Sequence, residues 1–161
     1  MSLPRSFVLE RIGGRRRSVA ESGGAGLCVC AFLGPAEATV DVLDGNGELA
    51  ARVQGGISEM ARDYHARLVS GERFRVLDAP PLLKVLSDRR AETEVEVLEE
   101  AAGARSFTWR RDGGIDGVLR VFPARGAEPW TLEVPGWADP LRVLAALLAA
   151  ERLVREIESA T

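Results

Sequence analysis

The chain has 161 residues, 46% of them hydrophobic and 28% charged, with a formal net charge of −3. That length buries one good core and is short for two domains. So slight a charge excludes a global attraction for nucleic acid or anionic membranes, leaving any such binding to a local basic patch. Lys84 is the lone lysine and Arg carries the rest of the basic charge; with abundant Ala and Gly this points to a GC-rich bacterial source. Residues Met1 to Ser6 lack the long apolar region of a signal peptide.

Before its last stretch the chain is a series of short apolar runs separated by Gly, Pro, Asp and Asn, the mark of many short strands. Phe7–Ile12 is the first, stopped by Gly13-Gly14, and Arg15–Glu21 reads as its hairpin return. Leu27–Leu33 is apolar throughout, as expected of a central strand or one covered on both faces. Its Cys28 and Cys30 share one face, where an intrastrand disulfide fits poorly. A metal there would need two further soft ligands, and only His65 is on offer. Reduced, buried cysteines in a cytoplasmic protein are the simplest expectation.

Thr39–Leu43, the turn Asp44-Gly-Asn-Gly47 and Glu48–Val53 form the clearest hairpin. Counted as a calcium loop from Asp44, the sixth and twelfth positions are Leu49 and Gly55 rather than Gly and Glu, so the turn reading stands. Ile57, Met60, Ala61, Tyr64 and Leu68 follow helical spacing, whereas Tyr64, Ala66 and Leu68 equally suit a strand. A short helix or turn followed by a strand from about Tyr64 is the expectation. Arg73–Leu77, Leu82–Leu86, Glu92–Leu98, Arg105–Arg110, Gly117–Phe122 and Trp130–Val134 complete the strands.

Asp139 then offers an N-cap and Pro140 a first helical residue. Val143 to Ala150 is apolar without interruption, so this helix has no wet face and must be surrounded. Spanning a bilayer takes roughly 20 apolar residues, which this run does not reach. A sheet needs one face covered and this helix needs covering all round. A closed antiparallel β-barrel of about a dozen short strands around the helix meets both demands. The chain is therefore expected to be one domain over 1–161, with strands across about 6–134 and the central helix across about 139–158, fraying into a charged end at Arg155–Glu158.

The hairpin Val40 to Val53 has the form Val-x-Val-x-Asp-x-x-Gly-x-x-x-Ala-x-Val. With the ending Gly117-Val-Leu-Arg-Val, Trp130-Thr-Leu-Glu-Val, Asp139 and the apolar helix, it resembles the tubby C-terminal-like superfamily, which includes LURP-one-related proteins and phospholipid scramblases. The resemblance implies a barrel closed around a hydrophobic helix, and associations with phosphoinositides or other lipids. No cysteine-rich palmitoylation cluster or acidic calcium loop accompanies it, and no family binding residue maps onto a position here.

Arg15, Arg16 and Arg17 form the densest basic cluster, with Arg89, Arg90 and Arg110, Arg111 as further pairs. Guanidinium groups bind phosphate bidentately, so these seven, meeting on one face, would make a site for phospholipid headgroups or other anions. The plainer alternative is solvated loop charge balanced by Glu21, Asp88, Glu92 or Asp112. His65 is the only histidine and identifies no catalytic partners; Asp63 is too near in sequence to be diagnostic. Trp109, Trp130 and Trp137 read as core, with barrel-end plugs or the lining of a pocket for an apolar ligand as the alternative. The resulting expectation is a non-enzymatic binding module without cofactor, metal or nucleic-acid partner. A structural or protein-interaction role, with a homodimer joined through an uncovered strand, is the alternative, and a small hydrolase the least favoured.

Overall fold

The computed structural model describes residues 3–55, 62–87, 92–111, 114–123 and 128–159. Twelve antiparallel strands follow one another: β1 (Arg5–Gly13), β2 (Arg16–Glu21), β3 (Gly26–Leu33), β4 (Thr39–Leu43), β5 (Leu49–Gly55), β6 (Asp63–Leu68), β7 (Arg73–Ala79), β8 (Leu82–Ser87), β9 (Thr93–Glu99), β10 (Arg105–Arg111), β11 (Gly114–Val121) and β12 (Trp130–Val134). Each pairs with its neighbour in sequence, and β1 pairs with β12 from Arg5↔Val134 to Leu9↔Trp130, closing the barrel. A closed sheet leaves no unpaired edge, so the alternative of a homodimer joined through an uncovered strand finds no such strand in this sheet. The segment whose helix-or-strand character was open resolves from Asp63 onward as β6; residues 57–61 lie outside the described residues.

Alternation decides which side chains enter the barrel. Val40 faces Val53, Val42 faces Ala51, and Val76 faces Val85, all at 1% exposure or less. Outward neighbours form cross-strand ion pairs such as Arg52–Asp41 at 2.7 Å and Arg110–Glu96 at 2.9 Å. Cys28 and Cys30 are free and point inward with the core. The hydrogen bond with Cys28, together with burial, pushes the Cys30 thiol well above its ordinary pKa, so it packs as an apolar group.

The interior is filled by α1 (Pro140–Ser159), which touches β5 to β7 on one side and β10 to β12 on the other. Asp139 caps it as expected, its carboxylate accepting from the Leu141 N–H at 3.0 Å. Every residue from Val143 to Ala150 is fully buried. Gly117 marks the tightest approach, since a Cβ there would lie 2.3 Å from Val143 Cγ1. Among the described residues no helix is long and apolar enough to cross a membrane.

The single tyrosine reports on this packing. Tyr64 lies inside at 2% exposure, and burial, reinforced by Glu156, raises its pKa from 10 to about 12. Between those values the unfolded phenol ionises while the folded one does not, so stability falls with rising pH across that window. Absorbance at 295 nm is expected to titrate near 12 in the folded protein. A midpoint near 10 without unfolding would put the ring in solvent.

Candidate functional site

Successive turns alternate between the barrel's two ends, here called the entry mouth, where α1 begins, and the exit mouth, where it leaves. The β1–β2 turn lies at the exit mouth and the β10–β11 turn at the entry mouth. Arg15, Arg16 and Arg17 therefore do not meet Arg110 and Arg111, and the convergence of all seven arginines on one face, which the sequence left open, does not occur. Arg89 and Arg90 lie outside the described residues.

At the entry mouth a cavity of about 710 Å³ sits over Phe74 and Trp109. Its cations are matched one by one. Arg110 pairs with Glu96 at 2.9 Å, Arg111 with Asp116 at 3.0 Å, Lys84 with Glu92 at 3.2 Å and Arg142 with Glu72 at 2.9 Å. The Arg142 guanidinium also lies over the Phe74 and Trp109 rings, and Arg111 lies over the exposed Trp137. Among the described residues this mouth neutralises itself.

The exit mouth does not. A smaller cavity, about 310 Å³, is lined by Arg11, Arg15, Arg16, Arg17, Arg152 and Arg155, with Glu37 the only carboxylate among its lining and Phe32, Phe122 and Trp130 as apolar wall. Arg11 and Arg17 are direct cross-strand partners. They continue the inward rows Phe7, Leu9 and Val19, so alternation aims them into the mouth. Arg17 is only 8% exposed. It donates to the Leu9 carbonyl at 3.0 Å and stacks at 4.1 Å on Trp130. No carboxylate among the described residues lies within ion-pair distance of it. Burial lowers its pKa, and the guanidiniums of Arg11 and Arg152 lower it further against the opposing pull of Glu151. A bound anion would relieve both costs.

Glu151 and Arg152, just beyond the apolar run and ahead of the charged end expected at Arg155–Glu158, are both buried, at 4% and 2% exposure. They form an ion pair, and Arg152 also donates to the Glu37 carbonyl at 3.2 Å and lies 4.8 Å over Phe32. Arg11 was legible from strand alternation alone. Arg152, Arg155 and Glu37 were not, because nothing local couples the helix end to the β3–β4 connection.

His65 has a partner after all. Its Nε2 lies 3.1 Å from Asp63 Oδ2, which also accepts from Arg75 Nε at 2.7 Å. The remaining oxygen, Asp63 Oδ1, is buried with no hydrogen-bond partner among the described residues. Among the described residues lining the groove beside this pair there is no serine, threonine or cysteine. Three or more potential metal ligands cluster nowhere among the described residues. No protein-family model, curated protein or solved structure matches the chain.

Proposed function

We propose that the protein is a non-enzymatic module that holds a phosphate-bearing anion, foremost a phospholipid headgroup, in the exit mouth. The observation that carries this is Arg17, a buried guanidinium fixed over Trp130 without a carboxylate partner among the described residues, in a cavity whose lining has six arginines and one glutamate. A planar fork held by an aromatic face and a backbone carbonyl is preorganised for a phosphate oxyanion. Ile12 and Leu33, 53% and 43% exposed at the ends of β1 and β3 beside this mouth, give an apolar contact for a membrane surface. The helix-filled barrel supports the proposed tubby-like kinship as well.

Co-sedimentation with vesicles tests the reading. Saturable binding is expected to phosphatidylcholine vesicles containing phosphatidic acid and not to phosphatidylcholine alone, with loss at high salt. Replacing Arg15, Arg16 and Arg17 by Ala is expected to weaken it by about 1 kcal/mol per arginine, roughly a hundredfold for the three. Soluble phosphate in excess competes if the headgroup alone is recognised. No binding at low salt would sink the proposal.

A further inference from the structure

We infer that Glu37 is a built-in counter-ion of the exit mouth, displaced when a ligand carrying two linked phosphoryl groups binds. The inference rests on the phosphate-binding reading above and specifies what fills each half of that site. Glu37 serves three guanidiniums at once, at 3.7 Å from Arg15, 3.8 Å from Arg152 and 3.9 Å from Arg155. A charge-assisted N–H···O bond closes to about 2.7–2.9 Å, so each contact is roughly 1 Å too long. A flat carboxylate with two oxygens is too small for this triangle, whereas a tetrahedral phosphoryl group offers three oxygens over a wider radius.

The backbone that delivers Glu37 is held against its preference. It ends a single 3-10 turn, Pro35–Glu37, in which Ala36 and Glu37 have φ of 56° and 53°. Left-handed backbone at two consecutive residues with a Cβ is disfavoured. The other half of the mouth holds Arg11, Arg16 and Arg17, none of which makes an ion pair with a described carboxylate. One phosphoryl group therefore enters an open half, and a second must evict Glu37. A single phosphate leaves Glu37 in place.

Calorimetric titration of the full chain with orthophosphate and with pyrophosphate, in phosphate-free buffer at low ionic strength, separates the cases. Pyrophosphate is expected to bind the native protein more tightly than orthophosphate does. Glu37→Gln, which removes the competing charge, is expected to raise pyrophosphate affinity roughly tenfold and to change orthophosphate affinity much less. Glu37→Asp, one methylene shorter and still charged, moves pyrophosphate affinity the same way by less, and covers the case in which the neutral variant folds poorly. Unchanged or weaker pyrophosphate binding in both variants overturns the inference and leaves phosphate binding standing. An equal gain for the two anions overturns the division into halves. Failure of either anion to bind any of the three proteins overturns the phosphate-binding reading together with the inference.

Discussion

Leu147→Ala is expected to destabilise the fold by about 2–5 kcal/mol, in the upper part of the range for buried leucines. Leu147 is fully buried on α1, and its Cδ1 would lie 3.6 Å from a Cβ built at Gly117, so it packs against the barrel wall itself. A cavity is partly repaired when its surroundings collapse inward, and the repair sets the cost within the range. Here the surroundings are a ring of strands locked to one another from β1 through β12, whose circumference hydrogen bonds fix. The wall cannot close around the missing methyl groups as a loose helix pair can. Urea unfolding is the check: the midpoint should fall with the slope unchanged. Leu147→Met, nearly equal in volume, should cost less than about 1.5 kcal/mol. An alanine cost below about 0.5 kcal/mol, the ordinary size for surface sites, would mean that the helix does not support the barrel from inside.

The same interlocking explains what could be read from the sequence. Val40-Asp-Val alternates, Asp44-Gly-Asn-Gly47 turns, and Asp139-Pro140 starts a helix for reasons confined to a few neighbouring residues. The turn is stabilised by Asp44 itself, whose carboxylate accepts from the Asn46 and Glu48 N–H groups at 2.9 and 3.0 Å. An unbroken apolar helix beside many strands then leaves few packings open. The placement of the arginines needed one further fact, the number of strands between them. In an up-and-down barrel the first and tenth turns fall at opposite ends, so Arg15–Arg17 and Arg110–Arg111 part company by parity. The ambiguity between Ile57 and Leu68 left that count uncertain by one, and one strand reverses the answer. Glu37 and Arg152 were beyond reach for a different reason, being 115 residues apart and brought together by the helix running through the barrel.

Arg152→Ala is expected to cost about 3–5 kcal/mol, because it leaves Glu151 buried and deprived of its nearest partner. Arg155 remains, but at 3.8 Å from Glu151 and with 52% of its side chain exposed, it replaces little of the lost pairing. Chemical denaturation measures the loss directly. A second variant decides what the pair is for. Glu151→Gln combined with Arg152→Met keeps the volume and removes both charges, and such replacements of buried ion pairs are often neutral or stabilising. The double variant is therefore expected to recover most of the stability lost by Arg152→Ala. If the charges served the fold alone, nothing else would change. If Arg152 belongs to the anion site, the stable double variant should bind anionic vesicles more weakly than the native protein. Native affinity in a stable double variant would remove Arg152 from the site and confine recognition to Arg11, Arg15, Arg16, Arg17 and Arg155. Stability and affinity falling apart in this way would mark a buried charge kept at the barrel's exit for binding, against the interest of the core.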